Sequence, residues 1–119
     1  KGATLFGADF NVVSDSQDGH RLARAFKGAG LTDAFTAAGI MPGDKLRNSL
    51  PRGHDIDRIF ASDQFQVEDV HVVHEPGEIA SDHLPVVASY TLSGAQQPHP
   101  HALAEFSAAY DLDLPPNRA

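Results

Sequence analysis

Residues 81–92 read SDHLPVVASYTL, three polar residues followed by an apolar run. The run from Leu84 onward has the β-branched and aromatic character of a half-buried strand. Asp82 and His83 stand side by side at its mouth, and both side chains bind protons or metal ions. Upstream, IDRIFAS (56–62) and FQVEDVHVVHE (65–75) have the same strand character. With HLPVVASYTL (83–92) they predict three successive strands. In an up-down-up meander the first and third run the same way, so their starts share one edge of the sheet. Asp57 and His83 both sit at such starts and can meet.

Further upstream, ATLF (3–6) predicts a buried strand running into a polar loop that carries Gly7, Asp9 and Asn11. Residues two apart on an extended chain point to the same side, so Asp9 and Asn11 face together. An antiparallel arrangement then brings Asp9, Asn11, Asp57, Asp82 and His83 to one mouth. Between these stretches, Asp18 can cap a helix over 19–29, where Leu22, Ala25, Phe26 and Ala29 recur at helical spacing and Gly28 and Gly30 mark the stop. LTDAFTAAG (31–39) predicts a short second helix capped by Thr32 or Asp33. Residues 40–55 combine prolines, glycines and charges and read as a long surface loop, a kind of segment that is often functional. The expected fold class is therefore α/β, with mostly antiparallel strands and one or two helices packed on one face. From Ser93 the composition changes. SGAQQPHPH is a linker by composition, and ALAEFSAAYDL after it has Leu103, Phe106 and Tyr110 at helical spacing. The division expected is 1–92 for the folded unit and 93–119 for a linker and helical extension.

Composition narrows the function classes. A chain of 119 residues that is 41% hydrophobic builds one domain with a modest core. No run of about 18 apolar residues is present to span a bilayer, and no charged-then-apolar leader is visible, so the expectation is a soluble chain of undetermined compartment. With no cysteine, thiolate zinc sites, thiol nucleophiles and disulfides are excluded, and any metal must be held by oxygen and imidazole. A formal charge of −7 argues against a broad phosphate-backbone footprint on this chain.

The five convergent residues form a coherent chemical set. A carboxylate that accepts an imidazole N–H fixes the tautomer and favours the imidazolium, so Asp57 can orient His83 for acid, base or phosphate-binding work. Asp82 can bind a hard cation, directly or through water. Asp9 can position or deprotonate an attacking water, and the Asn11 amide can donate to a developing anionic oxygen. Arg52 and Arg58 lie near the motif and read as solvated surface charges. His71 and His74, three apart in a strand, face opposite sides and read as surface or packing residues. His99 and His101 belong to the linker, and His20 and His54 read as lone solvated side chains.

GADFN, HDIDRIF and SDHLPVV, in that order and with LTDAF between them, resemble the C-terminal half of the endonuclease/exonuclease/phosphatase (DNase I-like) superfamily. The resemblance covers residues 3 to 92. It implies half of a four-layer α/β sandwich. It also implies a divalent-metal-dependent phosphoester hydrolase: a phosphodiesterase, nuclease or phosphatase acting on a nucleic acid, a phospholipid or a sugar phosphate. Carried over by position, it makes Asp9 and Asn11 catalytic, pairs Asp57 with His83, and assigns Asp9 and Asp82 to a Mg²⁺ or Mn²⁺ site. Two positions depart from the family pattern. Ala8 stands where the family has glycine; as a substitution this changes little, but as an insertion it would turn Asp9 to the wrong face. Arg58 replaces an aromatic. Nothing in the chain matches the family's first half, which carries its principal metal-binding glutamate. The expectation is thus a chain inactive alone and completed by an N-terminal half in cis or as a partner chain. Two further classes remain: a degenerate, non-catalytic binding module of the same fold, and a metal-binding protein that uses its seven histidines.

Overall fold

The computed structural model describes residues 2–75 and 81–93. The described chain runs β1 (Leu5–Asp9), α1 (Gln17–Gly28), β2 (Leu31–Asp33), α2 (Ala34–Ala37), a 3₁₀ turn (Lys45–Arg47), β3 (Asp57–Ser62), β4 (Phe65–Val72) and β5 (Val86–Leu92). It is a small α/β fold in which every strand pairing is antiparallel.

The expected meander does not form. β3 lies between β1 and β2 in a three-stranded sheet, while β4 and β5 make a separate two-stranded sheet. Both edges of β3 are already occupied, so β4 has no edge of β3 to join. β1 starts later and runs further than ATLF implies, which makes Asp9 its last residue and not a loop residue. Its register is set against β3 from Leu5↔Ala61 to Asp9↔Asp57. Asp9 and Asp57 are therefore direct cross-strand neighbours, and Ala8 pairs with Arg58 in an unbroken register that keeps Asp9 opposite Asp57. Leu31–Asp33, expected to open a helix, instead forms the short third strand, and Asp33 then caps α2 by accepting the N–H groups of Phe35 and Thr36.

α1 is capped by Ser16, not Asp18: the Ser16 hydroxyl accepts the Gly19 N–H at 2.9 Å, and Asp18 pairs with Arg21 on the exposed side. Gly19 permits a close approach at this point, because a Cβ there would lie 2.1 Å from the Val13 carbonyl oxygen. One face of α1 packs on the three-stranded sheet through an aromatic group in which Phe26 stacks on Phe60 at 4.1 Å and Phe10 meets both edge-on. α2 serves a different sheet: Ala34 and Phe35 bury against Val70 and Val72 of β4, with Ile59, Leu84 and Val86 packed around them. The helices thus do not share one face, as the sequence had implied.

β3 is covered on both sides, so alternation along it sorts residues into two environments. Arg58 and Phe60 face α1, whereas Asp57 and Ile59 face the space between the sheets. Arg58 is 2% exposed and is no surface charge. Its Nε donates to Asp33 at 2.6 Å and its guanidinium lies 5.1 Å from the Phe60 ring centre, filling the position where the family has an aromatic. Asp33 also faces Arg47, whose guanidinium donates to the Ile40 carbonyl and the Thr36 hydroxyl at 2.7 and 2.9 Å. Burial pushes the Arg47 guanidinium below its ordinary value, and Asp33 opposes that fall. The 40–55 segment is accordingly not a plain surface loop: Arg47, Ser49 and Asp55 within it are buried. Asp55 accepts the Ser14 amide at 3.0 Å and the Ser14 hydroxyl, tying this segment to the chain ahead of α1.

β4 ends at Val72 and β5 starts at Val86, so His74 and His83 lie outside the strands that were expected to hold them. His71 is exposed and paired with Asp69 at 2.5 Å, and His20 pairs with Asp15 at 3.0 Å instead of standing alone. The extension, including His99, His101 and the ALAEFSAAYDL stretch, lies outside the described residues.

Candidate active site

The mouth between the two sheets is built by β1, β3 and the segment leading into β5. Asp9 closes β1, Asp57 opens β3 directly opposite, and His83 arrives from the other sheet. His83 Nδ1 lies 2.7 Å from Asp57 Oδ2, and its Nε2 faces Asp9 Oδ2 at 3.8 Å. With a carboxylate as acceptor, Nδ1 carries the proton and Nε2 is the atom left for chemistry. Among the described residues, Asp9, Asp57 and His83 form one group whose oxygen and nitrogen atoms lie close enough to share a cation. Asp57 and His83 open onto a cavity of about 420 Å³ also lined by Gly7, Ile59 and Ser81.

The electrostatics favour a charged imidazole. The hydrogen bond to Asp57 raises the His83 pKa above its ordinary value, and the charges of Asp57, Asp82 and Asp9 add to the rise against a partial desolvation. The side chain of His83 is 32% exposed and that of Asp57 is 19% exposed, so the pair is held by protein and still open to a reactant.

Asn11 reaches the site by a route other than strand alternation. The strand has ended, Phe10 donates its N–H to Ile56 at 2.9 Å, and Asn11 takes a left-handed backbone conformation with φ 56°. Asparagine tolerates this region better than most residues. Its N–H donates to Asp9 Oδ1 at 2.8 Å, which occupies one carboxylate oxygen and leaves Oδ2 toward His83. The structure thus brings Asp9, Asn11, Asp57 and His83 together. Asp82 is exposed and does not join their cluster. It lines a neighbouring cleft with Leu50, Pro51, Arg52 and His54, on the other side of the Ser81–His83 bend.

One residue of the site was not legible in the sequence. Ser49 is fully buried, and its hydroxyl donates to Asp57 Oδ2 at 2.5 Å, the same oxygen that accepts from His83. A serine in a polar, proline-containing loop has many uses, and no local pattern distinguished this one.

Two facing carboxylates and a braced imidazole thus lie together at the mouth between the two antiparallel sheets. The model of the endonuclease/exonuclease/phosphatase family matches residues 2–83, a span that takes in Asp9, Asn11, Asp57, Asp82 and His83, and the chain belongs to that family. Its members are hydrolases of the phosphoesterase and nuclease type that generally use divalent metals. Neither the curated proteins nor the solved structures gave a match. Among the described residues no helix is long and apolar enough to cross a membrane.

Proposed function

We propose that the chain carries the C-terminal half of a metal-dependent phosphoesterase active site and the matching half of a four-layer sandwich. The observation that carries this reading is the Asp57–His83 contact at 2.7 Å with Nε2 directed to Asp9. His83, held as imidazolium by Asp57, donates from Nε2 to a phosphoryl oxygen. Asp9 orients an attacking water and accepts its proton, and the Asn11 amide donates to the oxygen on which charge develops.

A cation belongs in this scheme. With His83 charged, Asp9, Asp57 and Asp82 still outnumber it, and a phosphate anion will not settle against that excess unaided. The groups that would serve as ligands are hard carboxylate oxygens, a set suited to Mg²⁺ or Mn²⁺, because a protonated His83 has no lone pair to offer a metal. Asp9 would hold the ion, and Asp82, which lines the neighbouring cleft, would reach it through water; when bound the ion would neutralise charge on the phosphoryl group during in-line hydrolysis.

Completion from outside the described residues is part of the proposal. Arg58 is engaged with Asp33 and Gly19, so among the described residues lining the cavity the imidazole is the one cationic group left to grip phosphate. Among the described residues β1 pairs on one side only, and its Leu5 and Phe6 are 51% and 47% exposed, as an edge awaiting a further strand would be. An N-terminal half, in cis or as a partner chain, would cover this edge and add the remaining metal ligand. The test is Mg²⁺-dependent hydrolysis of bis(4-nitrophenyl) phosphate by the chain alone and together with such a half. Turnover is expected only in the completed enzyme and is lost in His83→Ala. Turnover by the isolated chain would remove the need for completion, and indifference to His83→Ala would remove the site assignment.

A further inference from the structure

We infer that Ser49 is the positioning residue of the Asp57–His83 pair, bonded through its hydroxyl to Asp57 and through its carbonyl to the residue that follows His83. The inference rests on the hydrolytic reading of that pair. Asp57 and His83 come from different sheets, so no strand ladder fixes the distance between them. Ser49 supplies the missing link. Its hydroxyl donates to Asp57 Oδ2 at 2.5 Å, and its carbonyl accepts the N–H of Leu84, the residue bonded to His83, at 2.7 Å. Its own N–H donates to the His54 carbonyl at 3.1 Å, which anchors Ser49 to the turn that follows it.

The chemistry of the shared oxygen gives this clamp its effect. Asp57 Oδ2 receives two donors, Ser49 Oγ and His83 Nδ1. One donor leaves a carboxylate free to rotate about its bond to Cβ, whereas two donors on one oxygen fix both its plane and its direction. The imidazole opposite then has a single orientation in which Nδ1–H is satisfied, and Nε2 is aimed toward Asp9. Ser49 itself is 0% exposed, so no water competes for its hydroxyl. Ser49 touches neither a reactant nor a metal in this scheme. It acts through Asp57.

The main-chain bonds survive any substitution at Ser49, but the hydroxyl bond does not. Ser49→Ala should therefore leave the fold intact and release the Asp57 carboxylate. The direct readout is the ring ¹H–¹⁵N spectrum of His83 in the metal-free chain, at a pH high enough for the imidazole to be neutral. The native protein is expected in the Nδ1–H form, and Ser49→Ala is expected to show a substantial Nε2–H population. Ser49→Cys, which keeps the volume but is a poor donor, should behave as Ser49→Ala, and Ser49→Thr should return the Nδ1–H form. In the completed enzyme Ser49→Ala should lower kcat about tenfold with little change in KM, as expected for a misplaced catalytic group. An unchanged tautomer in Ser49→Ala, with only a lower melting temperature, would mean that the hydroxyl is merely structural and would overturn the inference. Absence of turnover in the native completed enzyme would instead refute the hydrolytic reading, and the tautomer result stands apart from it.

Discussion

Asp57 and Arg58 are neighbours in the chain and strangers in the fold. Strand alternation sends Asp57 to the open mouth, where it meets His83 and Ser49, and sends Arg58 under α1, where it meets Asp33. On the mouth side the groups are partly exposed and carry more negative than positive charge. On the buried side two guanidinium groups converge on one carboxylate at 1–2% exposure, an arrangement that no solvent screens. The same physics gives the two sides different uses. A buried ion group defines position, because removing the anion that its cations share leaves buried charge without a partner at high cost. A half-exposed group tolerates an unmatched charge and can therefore receive a reactant.

The comparison breaks most visibly at Asp33. Asp33→Asn keeps an oxygen to cap α2 but strips both Arg47 and Arg58 of their shared anion. A loss of about 3–5 kcal/mol is expected, the usual cost of orphaning a buried charge, and chemical denaturation would read it. A loss under about 1 kcal/mol would show that the buried group is loosely held and that the contrast with the mouth is false.

On the mouth side the expected effect is on protonation. Asp57→Asn removes the hydrogen bond and charge that chiefly raise the His83 pKa, so an NMR titration of the metal-free chain should show His83 moving down toward its ordinary value. The sign for stability follows. A group whose folded pKa is raised stabilises the fold fully below its unfolded value of about 6.5, and that contribution fades as pH rises through the higher folded value. Asp57→Asn should flatten stability across that window, and an unmoved His83 would contradict the cause assigned to the shift.

Smallest of all is the change expected at Arg52. It is exposed, unlike Arg58, and forms no ion pair among the described residues. Arg52→Ala should alter stability by no more than about 0.5 kcal/mol, checked by the same denaturation series.

What the sequence revealed and concealed follows from range. The meeting of Asp57 and His83 was legible from the motifs, although His83 lies in the bend ahead of β5 and not at a strand start, and the approach of Asp9 followed from antiparallel pairing. The route was partly wrong: β3 pairs with β1 and β2, not with β4, and this depends on which edges are free, a property of the assembled sheet. Arg58 looked like a surface charge because its partners, Asp33 and the Gly19 carbonyl, lie far away in the chain. Ser49 was concealed for the same reason, since its importance lies in contacts with residues 57 and 84. The extended geometry invoked for Asn11 gives way to a left-handed turn, and what the turn brings to Asp9 is the Asn11 main-chain N–H.

The most direct test of the division between the two sides of β3 is the Mg²⁺-dependent phosphodiesterase activity of Asp57→Asn in the completed enzyme, measured beside its melting temperature. Loss of the braced imidazole predicts a fall in kcat of about 10²–10⁴-fold with a melting temperature near that of the native protein. Native turnover in Asp57→Asn would contradict the account.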